Sequence, residues 1–138
     1  MIVKAKTMLR GFKGSKECVV LVDTGAIMTV VDKGLAEAVG VEYTGRRRSL
    51  TSATGHRLEG EIAVVRELTV EDETLDYEKV LVVGLDGKVK EALKRLDVND
   101  SAILGVTTLE LANFMPDTAT GKLRKIEAFL FSQAGIRS

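Results

Sequence analysis

Four uninterrupted β-forming residues, Val19-Val20-Leu21-Val22, run straight into Asp23-Thr24-Gly25-Ala26. This stretch constrains the fold more tightly than any other. A run that is apolar on both faces reads as a central strand. Ending such a strand in an acid is costly, because an ionised carboxylate in an apolar setting needs partners or a shifted pKa. Chains keep that arrangement where the acid does chemistry. The competing reading is a plain surface turn, for which Asp-Thr-Gly is equally good material.

The surrounding chain supports a small, mainly β domain. Val3, Ala5, Thr7 and Leu9 alternate with Lys4, Lys6, Met8 and Arg10, the period of a half-buried strand. A turn at 11–15 then returns the chain as the second arm of a hairpin, 17–22. Residues 27–31 are again β-rich, and Asp32 is placed to cap a short helix over 33–39 that Gly40 ends. Tyr43-Thr44-Gly45 reads as a connection. Two long strands, 49–53 and 58–70, flank a small, polar tip at 54–56, a hairpin able to stand clear of the core and move. An acidic turn at 71–73 leads to a strand over 75–83.

Asp86 is placed to cap a further helix, with Val89, Ala92, Leu93 and Leu96 on its apolar stripe and Lys88, Lys90, Glu91, Lys94 and Arg95 on its wet face. Asn99-Asp100-Ser101 breaks that helix. A short strand at 102–105 ends in Gly105, and a helix over 107–112 has Leu109 and Leu111 as anchors. Residues 114–115 are strand-like, 116–121 form a turn, and 122–126 begin a last strand. The apolar stretch 128–131 near the end implies that something covers it. The whole reads as one domain over 1–138, with many short strands in a closed or sandwich-like arrangement and two or three small helices.

Charge and residue counts exclude several function classes. Twenty basic residues balance twenty acidic ones, which argues against bulk electrostatic binding to nucleic acid or an anionic membrane. The run Arg46-Arg47-Arg48 reads as a solvated loop. One Cys and one His cannot build a zinc site from those ligands within one chain, and no cofactor motif is present. Thr120-Gly121-Lys122 fails as a P-loop end, since Pro116 stands where the first glycine belongs and Leu123 replaces Ser or Thr. His56 has no acid placed to orient it, so a Ser-His-Asp site is not supported. Asp117-Thr118-Ala119 lacks the glycine and the leading apolar strand, and reads as a hairpin turn. No apolar run is long enough to span a bilayer, Met1 to Lys6 does not read as a signal peptide, and Cys18 reads as a small core residue. The expected location is the cytoplasm.

Against that background, Val20-Leu21-Val22-Asp23-Thr24-Gly25-Ala26 resembles the active-site motif of the retropepsin-like aspartic proteases: an apolar strand, then D-[TS]-G-[AS]. Ile103-Leu104-Gly105 resembles the family's second signature, two apolar residues and a glycine followed by a short helix. Residues 49–65 lie where that family carries its flap. The order and spacing are most similar to the retroviral-like protease domain of DNA-damage-inducible ubiquitin-shuttle proteins, where the motif also runs on as an apolar and Met-Thr segment, like Ile27-Met28-Thr29. The likeness covers about residues 3–126. Three features depart from it. Ile27 stands where retroviral enzymes carry Ser or Asp, Val106 stands where Arg or Asn often follows the glycine, and 85–100 looks like a helical insertion.

The resemblance implies a closed acid-protease barrel with a flap hairpin, acting as an aspartic endopeptidase on extended peptides. Hydrolysis by this route needs two carboxylates sharing one proton. With one Asp-Thr-Gly per chain, the second acid must come from another copy across a two-fold axis. Asp23 is then the catalytic acid, Thr24 bonds across the axis, Gly25 permits the tight turn, and Gly105 supports the loop from behind. Ala26, Ile27 and the flap residues Ala53, Thr54, Gly55, His56 and Arg57 are the expected substrate contacts. The tail at 127–138 is a candidate for part of the dimer interface. The alternative within the same fold is a dimeric module that holds peptides without cutting them; an unrelated barrel with a chance Asp-Thr-Gly is the third reading.

Overall fold

The computed structural model describes residues 1–51 and 55–126. The expected flap residues Ala53 and Thr54 and the tail at 127–138 lie outside the described residues. The chain order is β1 (Lys4–Arg10), β2 (Ser15–Asp23), β3 (Val30–Asp32), α1 (Lys33–Val39), β4 (Glu42–Thr51), β5 (Arg57–Val70), β6 (Glu73–Val83), α2 (Gly87–Arg95), β7 (Ala102–Gly105), α3 (Val106–Leu111), β8 (Phe114–Asp117) and β9 (Lys122–Lys125).

Strand pairing closes a barrel. The order β1-β2-β7-β3-β6-β5 returns to β1, because β5 pairs with β1 through Thr7↔Val70 to Arg10↔Glu67. β4 is added on β5 alone, from Leu50↔Leu58 and Thr51↔Arg57 down to Glu42↔Val64. β4 and β5 are therefore paired antiparallel over the stretch where the flap is expected. Closure leaves no free edge on the six ring strands, which removes an aggregation hazard for a small sheet. β8 and β9 make a separate two-stranded hairpin.

β2 lies between β1 and β7, as its apolar run implies, but its two faces differ. Val20 and Val22 are buried, Leu21 is half-buried, and Val19 is 43% exposed. Cys18 is half-buried against the cluster of Val3, Val20, Val22 and Leu104, and burial pushes its thiol pKa up. The β-rich stretch after Ala26 becomes a strand only at Val30–Asp32. Before it, the backbone serves other elements: Ala26 O accepts from Val106 N, Ile27 O from Thr107 N, and Thr29 O from Leu81 N.

Tyr43-Thr44-Gly45 belongs to β4 and is not a free connection. The pairing with β5 shifts between Tyr43 and Arg47, where Gly45 has φ 80° and Thr44 Oγ1 donates to Ile62 O. A bulge at glycine lets the strand continue past an irregularity that reads in sequence as its end. The described part of the flap also does not stand clear of the core. Leu50 and Leu58 face each other across the hairpin and are 8% and 7% exposed, packed in one cluster with Ala26, Met28, Leu81 and Ile103.

Both anticipated helix caps are present. Asp32 Oδ2 accepts from Gly34 N at the start of α1, Gly40 closes it at φ 79°, and Asp86 Oδ1 accepts from Val89 N at the start of α2. The apolar stripe of α2 is cut short: Leu93 is buried, Val89 half-buried, Ala92 exposed and Leu96 36% exposed. The helix ends at Arg95 and the chain turns over at Asp97 (φ 60°), so that Val98 enters the core where Leu96 was expected. In α3, Leu109 and Ala112 are buried on one side, while Leu111 is 58% exposed. Two residues from Leu109, it lies roughly 200° around the helix from it.

The acidic run at 71–73 turns at Glu71-Asp72 and enters β6 at Glu73, and it holds Lys125. That ammonium is 2.6 Å from Glu73 Oε1 and 3.2 Å from Asp72 Oδ1, and lies over the Phe114 ring. The contacts tie β9 to the β5–β6 turn. At the lookalike motif, Asp117 Oδ1 accepts from Ala119 N as a turn.

Asp32 does more than cap α1. Its carboxylate also accepts from Leu85 N (2.9 Å) and Lys90 Nζ (3.3 Å), so one 7%-exposed acid holds α1 and the start of the helical insertion together. Burial pushes its pKa up, but the hydrogen bonds from Leu85, Lys90 and Gly34 outweigh it and hold the carboxyl below its ordinary 3.8. The stabilisation is therefore present above that ordinary value and is lost as pH falls through the lower folded one. Asp32→Ala should cost about 2–4 kcal/mol at neutral pH, combining a lost cap with two orphaned donors. Urea unfolding across a pH series should find the difference between the two proteins largest at neutral pH and shrinking as the Asp32 carboxyl takes up its proton on the acid side of 3.8.

Candidate active site

The loop after β2 is held by its own backbone and by the strand beside it. Asp23 is the last residue of β2, pairs in parallel with Gly105 at the end of β7, and is half-buried. Its Oδ1 accepts from Gly25 N at 2.9 Å, and its carbonyl accepts from Ala26 N at 3.0 Å. Thr24 and Gly25 are exposed beside it. The tight turn thus directs a carboxylate outward from a buried strand, with one oxygen oriented by the turn itself. Parallel pairing sets the depth, because Val22↔Leu104 and Leu21↔Ile103 bury just below it.

Gly105 has a steric role that its backbone angles do not reveal. At φ −95° any residue could adopt its conformation. A Cβ there, however, would meet the Met28 carbonyl carbon and oxygen at 2.3 Å and Thr29 N at 2.7 Å. The glycine lets the returning backbone of 28–29 press directly against the end of β7, so that Val106 N and Thr107 N reach the carbonyls of Ala26 and Ile27. Val106, in the position where an Arg or Asn was expected, opens α3.

The other expected site residues divide. Ile27 is 50% exposed next to the loop, whereas Ala26 is 1% exposed, its methyl packed with Leu50 and Leu58. At the flap, Gly55 (φ 86°), His56 and Arg57 are exposed. The Arg57 guanidinium donates to Ser49 Oγ at 3.3 Å and lies 3.7 Å from Glu59, which braces the hairpin across its two arms. The shared cluster of Leu50, Leu58, Ala26 and Met28 brings the tip-proximal end of the β4–β5 hairpin onto the Asp-Thr-Gly loop. No local sequence pattern marks the buried hydroxyls behind the loop, Thr29 and Thr108, or Glu78 next to them. Burial pushes the Glu78 pKa up, against the hydrogen bond from Thr108.

Among the described residues, no group of three or more His, Cys, Asp or Glu is placed to hold a metal ion. No described helix is long and apolar enough to cross a membrane. Among the described residues, the one carboxylate set out by a buried strand, a short turn and a glycine-backed loop is Asp23.

A family model described as aspartyl protease matches residues 9–108, which include the Asp-Thr-Gly loop, the flap arms and Gly105. The chain belongs to the aspartyl protease family. The barrel is also similar to the crystal structure of a retropepsin-like aspartic protease from Rickettsia conorii, at a TM-score of 0.51 and 16% identity, covering 83% of this chain and 76% of that one. At that identity the likeness is one of fold: a mainly β, retropepsin-like closed barrel with three helices. No curated protein matches the sequence.

Proposed function

We propose that this chain is one subunit of a homodimeric aspartic endopeptidase whose two catalytic acids are Asp23 of each copy. The observation that carries the reading is a single outward-facing Asp23 on a single Asp-Thr-Gly loop, in a family whose chemistry needs two carboxylates. Two such acids within hydrogen-bond reach cannot both ionise, so the pair shares one proton. The ionised member takes a proton from a water, whose oxygen forms a bond to the scissile carbonyl carbon. The protonated member gives its proton to the carbonyl oxygen. Collapse of the resulting diol breaks the C–N bond, and the nitrogen leaves with a proton returned by the dyad.

Thr24, exposed beside Asp23, would bond across the two-fold axis, and the half-exposed Ile27 would offer an apolar wall to the peptide. Ala26, its methyl buried and its amide and carbonyl both engaged, serves the loop more than the substrate. Gly55, His56, Arg57 and the two tip residues before them would close over an extended peptide and add strand-like hydrogen bonds. The apolar 128–131 tail is the candidate for further dimer contact. The run-on Ile27-Met28-Thr29 favours a place near the ubiquitin-shuttle type of retroviral-like protease, and the lone, half-buried Cys18 is compatible with a reducing cytoplasm.

Ile27 and Val106 favour one rival, a dimer of the same fold that holds peptides without cutting. Peptide cleavage against enzyme concentration separates it from the protease. The expected specific rate falls steeply on dilution below the dimer dissociation constant, in step with a fall in mass by analytical ultracentrifugation. A rate per subunit that is independent of dilution while the protein is monomeric would contradict the shared site, and binding without cleavage would support the rival.

A further inference from the structure

Behind the Asp-Thr-Gly loop runs a relay of polar groups. Gly105 N donates to Thr29 Oγ1 at 3.0 Å, Thr29 Oγ1 and Thr108 Oγ1 are 2.7 Å apart, and Thr108 Oγ1 donates to Glu78 Oε2 at 3.0 Å. Thr29 and Thr108 are 3% and 1% exposed, and Glu78 is half-buried. The relay crosses four separate parts of the chain: the end of β7, the loop before β3, the first turns of α3, and β6.

Counting hydrogens assigns it one direction. Thr108 spends its only hydroxyl hydrogen on Glu78, so the hydrogen between the two threonines belongs to Thr29. Thr29 then turns lone pairs toward Gly105 N–H. Every donor has an acceptor, and the chain ends on a group that only accepts when ionised. Remove that acceptor and the Thr108 hydrogen turns back on Thr29. Thr29 Oγ1 must then accept from Thr108 as well as from Gly105 N–H, its own buried hydrogen is left without an acceptor, and the oxygen that holds the Gly105 amide is turned from its orientation.

A second observation falls on the same spot. Tyr77, immediately before Glu78, has φ 52° although it lies within β6. It is 65% exposed, so no burial of its ring rewards a conformation that costs an L-residue with a large side chain on the order of 1–2 kcal/mol. The register is the same on both sides of it, Val65↔Glu78 and Glu67↔Asp76, so the distortion does not serve to change the pairing. It sits at the residue that presents Glu78 to Thr108. Strain of this kind persists where the surroundings over-determine it, commonly near a working site.

We infer that Glu78 is a positioning residue for peptide hydrolysis, an acceptor that orients the Thr108 and Thr29 hydroxyls and through them holds Gly105 against the strand that carries Asp23. The inference rests on the proteolytic reading above. It predicts sensitivity to the acceptor rather than to the charge, because an amide oxygen can end the relay as a carboxylate does.

The test compares wild type, Glu78→Leu, Glu78→Gln and Thr108→Val, with two readouts. In peptide cleavage, Glu78→Leu and Thr108→Val should lower kcat by about 10–100-fold, the range for lost outer-shell partners, with KM changed less than about two-fold because substrate-facing groups are untouched. Glu78→Gln should restore most of kcat. In amide hydrogen exchange, Gly105 N–H should lose protection in Glu78→Leu and Thr108→Val and keep it in Glu78→Gln, while Leu81 N–H, bonded to Thr29 O, stays protected in all four. Should Glu78→Leu not fold, Thr108→Val and Glu78→Gln carry the same contrast. Unchanged kcat and unchanged Gly105 exchange in Thr108→Val and Glu78→Leu would overturn the inference, as would a Glu78→Gln protein as impaired as Glu78→Leu. If wild type cleaves no peptide, the proteolytic reading fails by itself, and the role in hydrolysis falls with it. Gly105 exchange then still decides whether Glu78 holds the relay.

Discussion

Asp23→Asn should abolish peptide cleavage, lowering kcat by about a thousand-fold or more. In the proposed homodimer one substitution removes both acids at once, so neither the base that activates water nor the acid that protonates the carbonyl remains. Asn is nearly isosteric and its amide oxygen can still accept from Gly25 N, the one bond that Asp23 Oδ1 makes to its own turn. The loop should therefore keep its shape, with stability within about 1 kcal/mol of wild type. Steady-state kinetics beside a urea melt separate the two effects. Lost activity with a normal melt is the expected outcome, and cleavage that survives the substitution would remove Asp23 from the chemistry.

Gly105→Ala should produce a large loss of stability from a single added methyl group. The new Cβ would stand 2.3 Å from the carbonyl carbon and oxygen of Met28 and 2.7 Å from Thr29 N, all backbone atoms with no rotamer to swing aside. Relief requires prising the 28–29 segment off β7, which breaks the Gly105 N–Thr29 Oγ1 bond and strains those from Val106 and Thr107. A cost of about 3 kcal/mol or more follows, at or above the upper end for overpacking. Much of that would appear as poor expression. Gly87→Ala is the control: nothing lies within 4 Å of its added Cβ, and it opens α2, where alanine favours the helix. Urea melts should place the two variants on opposite sides of wild type or nearly so. Similar midpoints for both would mean that the close approach at Gly105 is not real.

Features encoded within a few residues were legible in the sequence. Asp32 and Asp86 cap their helices because a short acid before an apolar-periodic segment satisfies a nearby N–H. Residues 102–105 form a strand to the residue because four buried positions end in a glycine that has no room for a side chain. Asp23 could be singled out because the cost of ending a central strand in an acid is itself a signal. Features that depend on distant partners were not legible. Gly45 reads as a stop until β5 is seen to continue past it. Leu96 looks like the last rung of a helical stripe until the turn at Asp97 substitutes Val98. Glu78, Thr108 and Thr29 lie 30 and 79 residues apart along the chain, and no local pattern links an acid in one strand to hydroxyls in a helix and a loop. The double use of Asp32, as cap and as anchor for Leu85 and Lys90, was hidden for the same reason.

If each subunit supplies half of one site, mixing subunits should show it. Wild-type and Asp23→Asn subunits are exchanged at equal amounts and a fixed total concentration, and cleavage is compared with wild type alone. If a site needs Asp23 from both copies, only wild-type pairs cut, and about a quarter of the activity should remain. About half remaining, in simple proportion to the wild-type fraction, would mean that each subunit cuts alone and that no site is shared.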